Sequence, residues 1–397
     1  MHNQQLRAAM ESRRGSKFTL VTLKRKHLRK YSWLPDVLRV KGSIIARIFG
    51  PVLTVTIFAT LVAYAWSKGK RVALTNSVVP LLSVVVGLIL VFRNGTSYDR
   101  FWEGRKCFST VTSNVRNLSR LIWIFVCLPP TEDDPGHIKG KTPITSLTPA
   151  ELRRQKVEVL QFCVSFPYAL KHYLRGEDGM DYDDLPRVLP PHFTRPTPDA
   201  TKRIQRKRSK KNVQNPGSTT PLLGSSHQTV EFHPYADQLS TPLPLIIAHE
   251  LSGAVARFKR EGLLENVGPA GMNAMNGLIQ SMVDQMTSME RVANTPIPAP
   301  YAIHLKQCVT LYLFALPLTL INDLGWSMIP IVTVVAFTLM GIEGIADEIE
   351  MPFGYDRHDL PLDTYCDDLK EEVEYMIERL PEGGQGSQGY DDGEGDD

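Results

Sequence analysis

Four apolar runs, arranged in two pairs, constrain the fold of this chain more than any other feature of its sequence. The first pair is formed by residues 43–66 and 77–92, and the second by residues 308–321 and 326–342. The first run is long enough to cross a hydrocarbon layer of about 30 Å. Tryptophans at positions 66 and 326 fit the interfacial places that this residue prefers. We therefore predict a membrane protein with two helical hairpins.

Two of these runs pass without a break into charged sequence. Residues 77–92 continue into RNGTSYDRFWEGRK, and residues 326–342 continue into EGIADEIE. Proline inside a helix kinks or ends it, and the first proline after the second run is Pro129. The helix is thus expected to extend well beyond Phe92. The chain is predicted to be all-α, with four transmembrane helices per subunit that continue into a cytosolic helical domain.

The distribution of charge predicts the topology of the chain. Residues 1–41 are rich in Lys and Arg, and such segments favour the cytosolic side of a membrane. An even number of crossings then places both termini and the central region in the cytosol. The plasma membrane is the expected location, since no targeting signal points to an organelle. The net charge of +3 is too small to indicate a nucleic-acid partner.

The same patterns divide the chain into eight segments. A Pro- and Ser-rich insertion with a basic cluster and an acidic tail are both expected to be disordered. In order, the segments are a basic cytosolic arm (1–42), a first transmembrane hairpin (43–92), cytosolic helices (93–189), the insertion (190–245), further cytosolic helices (246–300), a second transmembrane hairpin (301–345), a cytosolic helix and loop (346–380) and the tail (381–397).

Val84, Leu88 and Phe92 are spaced i, i+4 and i+8, so they share one face of a helix over about 12 Å. This spacing is also typical of ordinary packing or of lipid contact. If several copies of the helix surround an axis, however, the three side chains form stacked apolar rings that gate by dewetting. The edge of the Phe92 ring is positive and tolerates anions. The Arg and Asn that follow are then expected to line a wet vestibule.

Such a pore needs more spanning helices than one chain supplies, so a symmetric oligomer is expected. Lys68, Lys70 and Arg71 lie between the first two runs, on the predicted outer side. They are interpreted either as an outer mouth that attracts anions or as ordinary loop charges.

Enzyme motifs are missing from the sequence. It contains no Walker loop, no GxGxxG, no HExxH and no GxSxG motif, and its five cysteines form no CxxC pair. His249–Glu250 is the nearest acid–base pair, and a single pair on a helix is typical of structural residues. We therefore predict that the protein is not an enzyme.

Three segments resemble the bestrophin family of ion channels. They are FRNGTSYDRFWEGRK (92–106), ERVANTPIPAPYAIHLKQCVTLY (290–312) and ADEIEMPFGYDRHDLPLD (346–363), in the family's order and spread over most of the chain. The last segment is similar to the microbial and fungal branch, because DLPLD stands where animal members carry an acidic run.

This resemblance implies a homopentameric channel that conducts chloride or other small anions through the bilayer. It implies a hydrophobic neck at Val84, Leu88 and Phe92. It also implies a second, lower constriction near the cytosolic exit, at the positions Ala270, Met272 and Met275.

Two departures from the family pattern affect this interpretation. The neck has one aromatic residue, Phe92, and some bacterial relatives with aliphatic necks conduct cations. The acidic run that forms the calcium site of animal members is reduced here to Asp356 and Asp359, separated by Arg357 and His358. These two acids are the only calcium candidates, and calcium takes six to eight oxygen ligands.

Three alternatives to an anion channel are left open by the sequence. The first is a cation channel on the same scaffold, which the reversal potential distinguishes. The second is a non-conducting membrane scaffold that holds partners through its basic insertion and acidic tail. A coupled transporter ranks last, because no span carries a charge at its middle of the kind that marks ion coupling.

Overall fold

The computed structural model describes residues 42–75, 79–128, 147–177, 182–191, 193, 241–356 and 358–383. The predicted basic arm, insertion and acidic tail lie almost entirely outside these residues. Within them the fold is all-helical and contains no strand, as the sequence predicts. The helices are α1 (Ile45–Ser67), α2 (Val79–Phe125), α3 (Pro149–Leu174), α4 (Leu243–Arg260), α5 (Gly268–Asn294), α6 (Ala299–Leu324), α7 (Met328–Ile349) and α8 (Leu362–Arg379).

Three helical stretches are long and apolar enough to cross a membrane. They are Ile45–Ser67, Val79–Phe125 and Ala299–Ile349. The third contains both α6 and α7, which are joined by the short 3-10 turn Gly325–Ser327. The 23-residue α1 is about 35 Å long, close to the thickness of a hydrocarbon core. The chain is thus built as an integral membrane protein.

Helix α2 is continuous over 47 residues, or about 70 Å. It runs through Phe92 and Arg93 without interruption, as the lack of a proline in this stretch predicts. Hydroxyls of Thr96, Thr110 and Thr112 bond back to carbonyls one turn earlier, which satisfies these polar groups within the helix. One rigid element therefore connects the apolar part of the molecule to its polar part.

The described part of the chain has two separate hydrophobic cores. The first, which we call the membrane core, is formed by α1, α2, α6 and α7 and consists of Val55, Ala59, Val62, Ala63, Val86, Leu90, Leu305, Val309, Leu313, Leu316, Ile321, Met328, Val332 and Ala336. The second, the extramembrane core, extends from Cys107 in α2 through α3, α4 and α5 to Val373 in α8. Among these helices, α2 alone contributes residues to both cores.

Close packing at Gly104 joins the loop after α7 to the middle of α2. A Cβ atom at this position would lie 2.9 Å from Cζ of Phe353 and 3.2 Å from Cγ of Pro352. Phe353 is 3% exposed and belongs to the extramembrane core. The missing side chain thus lets the loop reach α2, and any larger residue at position 104 would displace it.

Candidate functional site

The predicted neck residues lie on a face of α2 that no other part of the described chain covers. Val84, Leu88 and Phe92 are 70%, 55% and 62% exposed, although all three are large and apolar. Val86 and Leu90, on the opposite side of the helix, are buried in the membrane core. The inner side of α2 is therefore packed, and the exposed stripe remains free for a pore, lipid or a second copy of the chain.

The same face of α2 becomes polar below Phe92. Asp99 lies seven residues, or about 10 Å, after Phe92, and Trp102 lies two heptads after Leu88. Both side chains are exposed, as are Thr96 and Tyr98. An apolar stripe and a polar stripe thus follow one another along one unbroken helix face, which is the arrangement that a constriction opening into a wet vestibule requires.

The expectation that Arg93 lines a vestibule is wrong. Its side chain is 1% exposed, because the 100° step from Phe92 turns it towards α7. There its Nη2 atom lies 2.6 Å from Oε2 of Glu350 and 3.6 Å from Oδ1 of Asp347. A buried charge requires such a partner. Of the polar residues after Phe92, some therefore lie on the exposed face of α2 and others, such as Arg93, lie in the interior.

Arg93 belongs to a group of six charged residues at one end of the membrane core, which we call the junction cluster. Arg47 pairs with Asp347 at 2.6 Å, and Lys306 lies 3.4 Å from Glu343. Three cations and three anions thus balance one another there: Arg47, Arg93, Lys306, Glu343, Asp347 and Glu350. Trp66 lies at the other end of the core, where a Cβ atom added at Gly325 in the turn between α6 and α7 would lie 3.8 Å from its ring.

The three positions predicted for a lower constriction differ in their surroundings. All lie near the start of α5, where Ala270 is exposed and Met272 is half-buried. Met275 is fully buried in the extramembrane core together with Ile279 and Met282. Its side chain is therefore unavailable to a pore, and the prediction for Met275 is wrong. The spacing of i, i+4 and i+7 that Met275, Ile279 and Met282 share marks a packed helix face.

The cations predicted for an outer mouth follow the end of α1. Lys68, Lys70 and Arg71 are all exposed. The ammonium group of Lys68 lies 5.5 Å from the centre of the Tyr64 ring, a distance at which a cation–π interaction is weakly favourable. This loop lies at the Trp66 end of the membrane core, opposite the junction cluster, since the amide of Leu74 donates to the carbonyl of Leu318.

The two calcium candidates lie in the loop after α7. Oδ2 of Asp359 accepts a hydrogen bond from the amide of Asp356 at 2.7 Å, so this carboxylate caps its own turn. Burial, and to a smaller extent the neighbouring Asp356, raises the pKa of Asp359 to about 6. In the part of the chain that the structure describes, no three acidic, His or Cys side chains come together as metal ligands would.

An ionic network with buried cations, which the sequence analysis missed, connects α3 to the start of α8. Lys171 is 3% exposed and donates to Asp184 and, at 2.8 Å, to Asp363. Arg175 donates to the other oxygen of Asp363 at 2.8 Å. Burial alone lowers the pKa of Lys171, but its bonds to the two carboxylates outweigh this effect and raise it. No short motif indicates this network, because Asp363, which joins Lys171 to Arg175, lies 188 residues after Arg175 in the chain.

Acid is expected to destabilise this network. Burial would raise the pKa of Asp363, but Arg175 and Lys171 hold it well below its usual range. A carboxylate with a lowered pKa in the folded state stabilises the fold above about pH 4, and this contribution is lost as the pH falls through the lowered value. We expect the melting temperature in detergent, followed by tryptophan fluorescence, to fall below about pH 4, and Asp363→Asn to flatten this fall.

The exposed Asp183 provides a control for this measurement, because it lies next to Asp184 in the chain and outside the contacts that form the network. Asp183→Asn should keep the acid sensitivity of the unmodified protein. An identical acid slope in the Asp363→Asn variant would contradict the assignment of the effect to this network.

Comparison with known proteins gives a consistent result over most of the chain. The sequence-family model of the bacterial and fungal bestrophin proteins matches residues 24–375. A voltage-dependent anion channel-forming protein of Synechocystis sp. is 33% identical over 88% of this chain and 93% of its own length. A protein of the same description from Nostoc sp. is 31% identical over 91% of this chain and 95% of its own length.

Solved structures agree on the fold. A bacterial bestrophin homologue from Klebsiella pneumoniae superposes with a TM-score of 0.59 and 22% identity, over 84% of this chain and all of the other. The curated relatives are channel-forming proteins and not enzymes, in agreement with the motif analysis. The family match, the relatives and the fold together show that this chain belongs to the bacterial and fungal branch of the bestrophin family.

Proposed function

We propose that the protein is a passive anion channel whose pore is lined by the exposed face of α2. The observation that carries this proposal is the stripe of Val84, Leu88 and Phe92, which stands free of its own protomer and continues into a polar stripe. The relatives from Synechocystis sp. and Nostoc sp. are both named as anion channel-forming proteins. Chloride is the anion that we propose as the main permeant ion.

The pore is proposed to lie on the axis of a homopentamer with four crossings per subunit, made by α1, the first part of α2, α6 and α7. One protomer has too few apolar helices to enclose a water-filled path. Five copies of the stripe would form three stacked apolar rings over about 12 Å. A constriction of this kind excludes water and ions until it widens, so we propose that it is the gate.

In this arrangement the extramembrane core surrounds a cytosolic vestibule, and both termini are cytosolic. The basic N-terminal sequence favours that side. Lys68, Lys70 and Arg71 then lie at the outer mouth, where exposed cations raise the local concentration of anions. At the opposite end, Ala270 and Met272 remain candidates for the lower constriction. We propose the plasma membrane as the location.

The reversal potential of the reconstituted protein tests the selectivity. We expect the purified protein, placed in a planar bilayer under a tenfold KCl gradient, to reverse close to the chloride equilibrium potential. Cross-linking or mass measurement in detergent should report five subunits. Currents that reverse near the potassium potential would contradict anion selectivity but leave the pore intact, whereas persistent silence would favour a membrane scaffold.

A cation channel is the second candidate, and one observation favours it. Asp99 is exposed on the pore-facing stripe about two turns below Phe92. A ring of carboxylates beneath an apolar neck attracts cations. Asp99→Asn should therefore increase the permeability of chloride relative to potassium if this ring opposes anion passage.

A further inference from the structure

Phe92 and Arg93 are neighbours in the chain with opposite environments. The Phe92 side chain is 62% exposed on the proposed pore face, whereas Arg93 is 1% exposed on the packed face. Successive residues of an α-helix differ by about 100° around its axis. Any rotation of α2 that moves Phe92 away from the pore must therefore also move Arg93 out of its buried position.

Arg93 is held by directional contacts. Its Nη2 atom lies 2.6 Å from Oε2 of Glu350, and Glu350 is itself largely buried. Nε and Nη1 of Arg93 find no hydrogen-bond partner among the described residues, so the guanidinium depends on Glu350 and the more distant Asp347. Removing one partner of a buried ion pair is strongly unfavourable, because it leaves the other charge unpaired.

Glu350 in turn is attached to the connector between α5 and α6. Its Oε1 atom accepts a hydrogen bond from the amide of Ile297 at 2.9 Å. Its backbone carbonyl accepts from Nε of Arg100, and Nη2 of the same arginine donates to the carbonyl of Val292 at 2.7 Å. The ends of α5 and α7 are thus both tied to α2, within about two turns of the neck.

Apolar contacts elsewhere along this part of α2 do not fix its rotation in the same way. Val86 and Leu90 pack in the membrane core, and hydrophobic contact has no preferred direction. Among the described residues, the ion pair of Arg93 is the nearest directional contact to the neck on the packed side. It adjoins Phe92, the lowest of the three rings.

We propose that Arg93 is a positioning residue for the neck, and that its pair with Glu350 sets the rotation of α2 that keeps Phe92 facing the pore. This inference rests on the proposed pore. It makes the loop after α7 and the connector before α6 the parts of the chain that control the neck, since Glu350 begins that loop and accepts a hydrogen bond from Ile297 of the connector.

Cysteine accessibility measures this rotation directly. Val91 and Phe92 are both exposed and lie on either side of the centre of the proposed pore face of α2. The ratio of their reactivities therefore reports the direction in which α2 has rotated. Phe92→Cys and Val91→Cys would be made in a background where the half-buried Cys127 and Cys308 are replaced by Ser. The loss of current after adding a water-soluble thiol reagent would then be timed for each variant.

Arg93→Gln is expected to change the ratio of the two modification rates by about tenfold or more, since losing a partner of a buried ion pair shifts a two-state equilibrium at least that far. It should also move the reversal potential towards zero, because a turned neck loses its filter. Arg93→Lys keeps the charge and should restore most of both properties. Glu350→Gln still accepts from Ile297 and provides a milder variant if Arg93→Gln does not assemble.

Arg116 supplies a control on the same helix, with an exposed ion pair in place of a buried one. It pairs with Glu372 of α8 at 2.5 and 2.6 Å, far below the neck. Arg116→Gln should leave the ratio of modification rates unchanged. If the thiol introduced at position 92 is modified without loss of current while Arg93 is intact, the proposed pore is wrong. The other outcome is that modification at position 92 blocks the current, but the ratio of the modification rates at positions 92 and 91 is the same with Arg93 and with Arg93→Gln. In that case only the positioning role of Arg93 is wrong.

Discussion

Replacing Val84, Leu88 and Phe92 together by alanine is expected to raise the open probability or conductance of the channel by about tenfold or more, which corresponds to a barrier lowered by about 1.4 kcal/mol. Alanine shortens all three exposed side chains, so the proposed rings would widen along their full height. A wider apolar constriction holds water more readily, and ions then cross it with less loss of hydration. Single-channel recording in planar bilayers gives both quantities.

A second apolar stripe provides the control for this experiment. Phe49, Leu53 and Ile57 of α1 share the spacing of i, i+4 and i+8 and are 62%, 45% and 53% exposed. Their joint replacement by alanine removes a similar apolar surface from a different helix and should leave the conductance unchanged. If the α1 variant behaves like the α2 variant, general loosening of the membrane helices explains the effect. Unchanged currents in the α2 variant would show that Val84, Leu88 and Phe92 do not line the pore.

Lys171→Met is expected to lower the stability of the protein by about 2–3 kcal/mol, because it removes the two charged hydrogen bonds that a buried ammonium group donates. Asp184 and Asp363 would keep His172 and Arg175 as partners, which limits the loss. The melting temperature in detergent, followed by tryptophan fluorescence, measures the effect. It should fall clearly below that of the unmodified protein at pH 7.

Lys156→Met is the matched control, because Lys156 is 1% exposed and equally deep in the extramembrane core. Its ammonium group lies 3.3 Å from Glu382 and from the carbonyl of Trp123. Burial lowers the pKa of Lys156, and Glu382 offsets this only in part. Glu382 keeps Arg153 as a partner when Lys156 is replaced, and burial already disfavours the charge of Lys156. We therefore expect a change within about 1 kcal/mol. Equal losses in both variants would contradict this distinction.

The sequence predicted those parts of the fold that depend on local pattern. Apolar runs identified the membrane-capable helices, and the absence of proline predicted that α2 continues beyond Phe92. The exposed face of α2 also followed the spacing of Val84, Leu88 and Phe92. Whether this face lines a pore remains a prediction.

Contacts between distant parts of the chain could not be predicted in the same way. Arg93 looked like a vestibule residue, because nothing near it in the sequence indicates that Glu350, 257 residues later, would bury and pair it. Met275 is different, because a signal was present. A repeat at helical spacing predicts a packed helix face here, and it consists of Met275, Ile279, Met282 and Met286. The family resemblance instead assigned Met275 to a lower constriction.

The presence of two cores on one continuous helix has a consequence for biosynthesis. The membrane core is complete once α7 has been translated, because its last member is Ala336. The extramembrane core also needs Phe353, Leu362, Cys366, Leu369 and Val373, which follow α7. A nascent chain therefore completes its spans in the bilayer while α3, α4 and α5 still expose apolar surface to water. A chain that stops after α7 would be inserted but unfinished, and its exposed surface would mark it for chaperones and proteases.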